Sequence, residues 1–177
     1  MSVGYSIGMK VTRRHVLAAA AAVPAAAALG AGGLALRWYD KPPGSGLSIL
    51  SDDEYAFTQA FAEAWMPPGG TPALSVADAD LGRWFDELLG SMAPTQQTLL
   101  KVLLQALDDM PVLTDGSRFV SLALERRTEL VARWSTSNNA MFRAAISGLI
   151  VLLGMGWTTH PDVAPGLAHM FRCGWSR

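Results

Sequence analysis

Cysteine and charged residues are both scarce in this chain of 177 residues. Its one cysteine, Cys173, excludes an internal disulfide and a zinc finger. Charged residues make up 16% of the chain and hydrophobic residues 50%. This balance excludes a disordered chain and is unusual for a soluble cytosolic protein. The length fits one domain, with or without an appended segment.

The charges that are present divide the chain into a basic start and an acidic body. Residues 1–46 carry five basic side chains against one acidic one, whereas residues 47–177 carry nine basic against fourteen acidic. An acidic body does not suit the phosphate backbone of a nucleic acid. We therefore expect no nucleic-acid partner.

Catalytic motifs are also missing from the sequence. It has no Walker loop, no Gly-x-Ser-x-Gly elbow, no His-Glu-x-x-His and no Cys-x-x-Cys-His for covalent haem. The pairs Asp52-Asp53 and Asp108-Asp109 could act as acid–base partners. The pattern places them at helix ends, however, where acids stabilise the first turn or face water. We expect no catalytic, cofactor-binding or metal site in this chain, and hence no enzyme activity.

The best metal candidates are His160, His169 and Cys173. His169 and Cys173 are one helical turn apart, so a three-ligand site is chemically feasible. The alternative is a histidine beside Pro161 and an ordinary buried or interface cysteine, and we favour it.

The N-terminus has the pattern of an export signal. Arg13 and Arg14 are separated by His15 from Val16 and Leu17, which open an uncharged run that ends at Leu36. Paired arginines before a mildly hydrophobic run are typical of a twin-arginine signal. At 1.5 Å per residue the run is also long enough to span a bilayer. The alternatives are an Ala-rich soluble helix or a plain membrane anchor.

This pattern predicts a cellular location and a domain organisation. Residues 1–36 are the signal or anchor, residues 37–50 are a linker, and residues 51–177 are the helical body. We expect export by the twin-arginine pathway to the periplasm or the outer face of the cytoplasmic membrane, with residues 16–36 as the anchor if they are retained.

The body is predicted to be all-α, a bundle of about five helices. Ser51 and Glu54 form a capping box, and Phe57, Phe61 and Trp65 follow on one helical face. Similar signals mark the other helix ends. These are a start at Ser75–Asp78, a left-handed cap at Gly90, a start at Pro94, a stop at Pro111 and a cap at Ser137.

The last predicted helix differs from the others. Ala144 to Trp157 contains no charge, and the stretch is too short to span a bilayer, so we expect it to be the central helix of the bundle. Gly148, Gly154 and Gly156 could let neighbouring backbones approach it closely.

A series of motifs follows the signal in a characteristic order, with a helix start, a Pro-Gly turn, a Pro-led Leu helix and an Arg-containing helix that runs into a Pro. In the sequence these are Leu50-Ser-Asp-Asp-Glu54, Trp65-Met-Pro-Pro-Gly-Gly70, Pro94 to Leu104, and Phe142-Arg143 through Gly156-Trp157 to His160-Pro161. In this order they resemble the gluconate 2-dehydrogenase subunit 3 family. The resemblance covers about residues 10–165, although Trp157 replaces the family's usual tyrosine.

The resemblance implies a noncatalytic small subunit. Its partner would be a large FAD-dependent dehydrogenase of the glucose–methanol–choline (GMC) type that lacks its own export signal. The small subunit would stabilise this flavoprotein, act as its chaperone, and carry it through the twin-arginine translocase to the membrane. FAD is expected in the partner and no cofactor in this chain, and a cytochrome subunit could complete the oxidoreductase complex.

Two other functions stay open. One is an independent membrane-anchored helical scaffold or apolar-ligand-binding protein, and the other is a small metal- or haem-binding electron carrier that uses His160, His169 and Cys173.

If the chain is a small subunit, its tryptophans beside rigid turns are the expected anchors of the interface. Cys173 has no internal partner and is a candidate for an intersubunit disulfide. The candidate interface residues are Trp65, Pro67, Pro68, Gly69, Gly70, Trp157, His160 and Pro161.

Overall fold

The structure, a computed structural model, describes residues 41–66 and 74–167. These residues form helices joined by turns, with no strand among them, so the all-α prediction is confirmed. Five helices of ten residues or more are accompanied in the described ranges by short helices and one 3-10 turn. In chain order the elements are α1 (Asp52–Trp65), α2 (Val76–Ala79), α3 (Leu81–Gly90), α4 (Pro94–Asp109), α5 (Val112–Asp115), the 3-10 turn (Phe119–Ser121), α6 (Leu124–Ser135), α7 (Ala140–Thr159) and α8 (Ala164–Leu167).

Three predicted helix starts are confirmed. The Ser51 hydroxyl accepts a hydrogen bond from the Glu54 amide, and the Glu54 carboxylate accepts one from the Ser51 amide at 2.7 Å. The Ser75 hydroxyl accepts from the Asp78 amide at 3.0 Å. Pro94 occupies the first turn of α4, where its missing amide proton is not needed.

Two predicted caps are wrong. Gly90 is the last helical residue of α3, and Ser91 caps the helix in a right-handed conformation, with its amide donating back to two carbonyls of the last turn. Asn139, not Ser137, caps α7. The Asn139 side-chain oxygen accepts from the amides of Met141 and Phe142 at 3.1 Å each, a geometry that an Asx residue adjoining the helix achieves directly.

The prediction that Ala144–Trp157 is the central helix is also wrong. The central helix is α1, which packs against α2, α3, α4, α6, α7 and the 3-10 turn. The helix α7 buries only Ile146, Leu149, Leu153 and Gly156. A lack of charge makes a helix compatible with burial but does not determine how many of its faces are covered.

The helix α7 extends beyond the uncharged stretch Ala144–Trp157. It has 20 residues, and its most apolar 18-residue window has a mean hydropathy of 1.6, with 22% of that window buried. By length and composition alone it could cross a membrane, a property that the core helix of a soluble protein can share.

A row of aromatic side chains in ring contact runs through the core. The ring centroids of Phe57 and Phe119 are 5.3 Å apart, those of Phe119 and Trp134 are 5.4 Å apart, and those of Trp134 and Phe142 are 6.3 Å apart. Phe119 is fully buried. The 3-10 turn therefore places one ring at the point where α1 and α6 meet.

Tryptophan rings, rather than the backbone of a neighbouring helix, occupy the space beside two glycines of α7. A Cβ atom on Gly156 would lie 2.6 Å from Trp84, and one on Gly154 would lie 3.5 Å from Trp65. A Cβ atom on Gly148 would meet nothing within 4 Å. The expected close approach is thus made by indoles at two of the three glycines.

Candidate functional site

The described residues of the predicted interface lie where α1 and α7 meet. Trp65 ends α1 and is 37% exposed, and its ring rests on Gly154. Trp157 lies on α7 one helical turn after Gly154 and is half-buried. The structure therefore brings Trp65 to the last turns of α7, next to the second predicted segment.

The segment after α7 is a short turn. His160 caps the helix, and its Nδ1 accepts a hydrogen bond from the Asp162 amide at 3.2 Å. Pro161 is exposed. The rest of the predicted set lies outside the described residues, namely Arg13, Arg14, Val16, Leu17, Pro67, Pro68, Gly69, Gly70 and Cys173.

The metal hypothesis involves residues beyond the described ranges. Within those ranges, no group of three His, Cys, Asp or Glu side chains could hold a metal ion. His160 is described, while His169 and Cys173 are not.

The paired acids hold the fold together. Arg118 contacts Asp109 at 3.4 Å and Asp53 at 3.6 Å, and it pairs with Asp108. Asp108 is 1% exposed and also accepts a hydrogen bond from the Val120 amide at 3.1 Å. The expectation that acids at these helix ends face water is therefore wrong for Asp108, because Arg118 and the Val120 amide contact its buried carboxylate.

Burial and neighbouring cations shift two of these acids in opposite directions. Burial raises the pKa of Asp108 above 3.8. The Lys41 ammonium group, which is 2.5 Å from Asp53, lowers the pKa of Asp53 below 3.8. Every acid of the two pairs has a structural contact, since Asp52 accepts a hydrogen bond from the Ser45 amide at 3.2 Å.

A second polar cluster fixes the segment that precedes α1. The buried Asp86 carboxylate accepts from the amides of Ser48, Ile49 and Leu50 at 2.7–2.9 Å. Lys101 donates to the Ile49 carbonyl at 2.8 Å. The end of the predicted linker is thus bound to α3 and α4.

Lys101 connects this cluster to the capping box of α1. Its ammonium group is 3.5 Å from the buried Glu54 carboxylate, which also accepts from Gln105 at 2.9 Å. Sequence reasoning missed these contacts. The one available signal was the spacing of Asp86, which stands three residues before the buried Leu89 and hence on the inner face of an amphipathic helix.

A small cleft lies between α1, α2 and α6. Its volume is about 240 Å³, and its lining includes Gln59, Glu63, Val76 and Arg127. Arg127 and Glu63 are paired across it at 2.8 Å. Pockets for organic ligands usually hold about 300–1,000 Å³, so this cleft is small for such a ligand.

Comparison with known proteins adds no relative. No family model, curated protein or solved structure matches the chain. The motifs of the sequence and the surface of the described body are therefore the observations that bear on function.

Proposed function

We propose that this chain is the noncatalytic small subunit of a membrane-associated oxidoreductase complex. It binds a large GMC-type dehydrogenase that carries FAD, stabilises it, and directs its export through the twin-arginine pathway. The order of the motifs, from Arg13 and Arg14 to His160-Pro161, supports this proposal. The complex would lie on the outer face of the cytoplasmic membrane, where residues 16–36 could anchor it.

The observation that carries the proposal is the amount of large apolar surface left uncovered. Eight large hydrophobic side chains are exposed in the described body, on or beside four of its helices. They are Trp65, Leu99, Met110, Val112, Leu113, Met141, Val151 and Met155. Scattered exposed apolar residues are normal, but neighbouring ones such as Val112 and Leu113 favour a protein partner.

Trp65 and Trp157 are the proposed anchors of the contact with the flavoprotein. Trp65 ends α1 and Trp157 lies in the last turn of α7, and the Trp65 ring lies 3.5 Å from where a Cβ atom on Gly154 would stand. An aromatic ring that already packs against a neighbour loses little conformational entropy when it binds, so it can dominate the energy of an interface. Cys173 is the proposed partner for an intersubunit disulfide.

Co-expression with a GMC-type dehydrogenase of the same organism tests the proposal. The tagged full-length chain should recover the flavoprotein, seen as flavin absorbance, and each of Trp65→Ala and Trp157→Ala should reduce that recovery about tenfold or more, a loss of at least about 1.4 kcal/mol. Glu87→Ala is the control, because Glu87 is exposed on α3 and is not one of the apolar residues that support the proposal.

Helix content by circular dichroism should be the same in all three variants. A well-behaved chain that ignores every co-expressed flavoprotein would contradict the proposal and favour the independent membrane-anchored scaffold.

A further inference from the structure

Residues 41–50 are held on the body although they form no helix. The Gly44 amide donates to the Leu50 carbonyl at 2.8 Å, so this segment folds back on itself. Gly46 has a φ of 75°, in the left-handed region that favours glycine. A Cβ atom on Gly44 would collide with the Asp52 carboxylate. The bend therefore depends on two glycines, and we call residues 41–50 the strap.

Polar side chains of α3 and α4 hold the strap in place. The Asp86 carboxylate on α3 accepts hydrogen bonds from the three successive amides of residues 48–50. On α4, the Lys101 ammonium group donates to the Ile49 carbonyl at 2.8 Å and to the Lys41 carbonyl at 3.3 Å. These contacts join residues that are 36 to 60 positions apart in the sequence. The strap can therefore close only when α3 and α4 are already in place on the bundle.

The last residues of the strap have the features of an endoprotease substrate. An endoprotease binds an extended segment through its backbone amides and carbonyls and through pockets for its side chains. Leu47, Ile49 and Leu50 offer apolar side chains in a segment without helix. In the closed strap, however, Leu50 is fully buried, and Asp86 and Lys101 occupy the backbone groups that a protease would bind.

The strap can open while the helices stay folded. Leu50 is its only buried residue, whereas α1 buries seven. Opening therefore exposes little apolar surface, and water can replace the polar contacts that are lost. Segments with few buried apolar contacts open locally at a lower free energy than the core helices of the same protein.

We propose that the strap is a cleavage site that the assembled bundle masks. When the strap is open, an endoprotease adds water across the peptide bond before Leu47, Ile49 or Leu50. The C–N bond breaks, which leaves a carboxylate on the N-terminal fragment and an amine on the fragment that carries the helices.

The position of the strap gives this cleavage a consequence, and this step rests on the proposed function. The strap follows the predicted signal, residues 1–36, so a cut in the strap separates the signal from the helices. A chain in which α3 and α4 are not in place would lose its signal, whereas a chain with an assembled bundle would keep it. The strap thereby makes export conditional on folding.

Limited digestion of the full-length chain with thermolysin, which cuts before large aliphatic residues, tests the proposal. Mass spectrometry of the early products measures the rate of cutting within residues 46–50. Asp86→Asn and Lys101→Met should each raise this rate about tenfold or more, because losing a hydrogen bond to a charged group increases the population of the open strap by that factor. Glu87→Gln, on the exposed side of α3, is the control and should leave the rate unchanged.

A variant of the strap itself leaves every helical residue unchanged. Gly44→Leu places a side chain against Asp52, so it should raise the rate of cutting within residues 46–50 about fivefold or more, the effect of overpacking a closed contact. Ser45→Ala is the matched control, since Ser45 is exposed and the variant keeps the backbone amide. Helix content by circular dichroism should be the same in both. If Asp86→Asn loses helix content, Gly44→Leu decides the test.

Three outcomes would overturn the proposal. Cutting within residues 46–50 of the unmodified chain as fast as in the chain unfolded by urea would show that the fold does not mask the site. An unchanged rate in Gly44→Leu and in Lys101→Met would show that the strap contacts do not control it. An equal rise in cuts beside Phe57 and Phe61 would mean that the strap opens only with the whole bundle. The digestion needs neither a flavoprotein nor export, so its result and that of the proposed function are separate.

Discussion

At the scale of single residues, Asp86 has an unusually large structural role. Its carboxylate is 3% exposed and accepts three backbone hydrogen bonds from the segment before α1. A carboxylate with three amide donors needs no cationic partner, because the amide dipoles compensate for its burial. Asp86 thereby determines where the chain enters the bundle.

Replacement of Asp86 by alanine should destabilise the bundle by about 2–4 kcal/mol, because buried amides would lose their acceptor. Asp86→Asn keeps one acceptor oxygen and should cost less. Urea denaturation of the full chain in detergent measures both changes, and Glu87→Gln, on the exposed side of α3, is the control. Equal stability of the alanine variant and the control would contradict this role.

Asp53 and Asp108 share Arg118 but should affect the pH dependence of stability in opposite ways. The pKa of Asp53 is lowered below 3.8 by Lys41, so its stabilising contribution is present above 3.8 and is lost as the pH falls through the lowered pKa. The pKa of Asp108 is raised above 3.8 by burial. Its contribution is present below 3.8 and is lost as the pH rises through the raised pKa.

The free energy of unfolding should therefore fall less steeply on acidification in Asp53→Asn, and more steeply in Asp108→Asn, than in the unmodified chain. Only the slopes are compared, since each substitution also removes a contact with Arg118. Unfolding by urea over a series of pH values on both sides of 3.8 measures these slopes. Identical slopes in the two variants would show that Asp108 does not titrate as a buried acid.

At the scale of elements, α7 has two apolar faces with different roles. Leu149 is 1% exposed and Val151 is 60% exposed, although they are two residues apart on the same helix. Hydropathy treats them alike, because both are aliphatic. Only contact with α1, α3 and α6 separates the face that holds the bundle together from the exposed face.

Leu149→Ala should destabilise the bundle by about 2–4 kcal/mol, because it leaves a cavity in the core. Val151→Ala should change the free energy of unfolding of the monomer by no more than about 0.5 kcal/mol, since it removes an exposed side chain. Urea denaturation of both variants at the same protein concentration compares the two. Similar losses at both positions would mean that α7 is enclosed on all sides.

At the scale of the whole molecule, the proposed function couples an export signal to a helical body. The two differ in charge, since residues 1–46 are basic and residues 47–177 are acidic. A twin-arginine signal transports folded proteins, so a partner that binds the folded body can travel with it. The body must then fold before export, which its capping box at Ser51 and its buried polar contacts favour.

Replacement of both Arg13 and Arg14 by lysine should retain the chain and its flavoprotein in the cytoplasm. Lysine keeps the charge but lacks the planar group that offers paired hydrogen-bond donors. Cell fractionation with an antibody against the body measures the distribution, and Lys10→Arg is the control for a basic substitution outside the pair. Normal export of the double variant would contradict the twin-arginine assignment.

Local signals in the sequence predicted the elements of the fold well. Capping at Ser51 and Ser75 and the start at Pro94 depend on contacts within one turn, and all three are confirmed. Gly90 and Ser137 were predicted by the same kind of rule and were wrong, because another residue nearby met the same need with better geometry. Residue type narrows the choice of cap without deciding among neighbours.

The sequence by itself determined the helical class, three of the helix starts and the aromatic face of α1, because periodicity and capping are properties of neighbouring residues. The tertiary structure decided what depends on contacts between distant segments. These are the central place of α1, the three amides on Asp86, the burial of Asp108 beside Arg118, and the exposed side of α7. An uncharged helix satisfies the same pattern at the centre or at the edge of a bundle, and only the neighbours that pack against it distinguish the two.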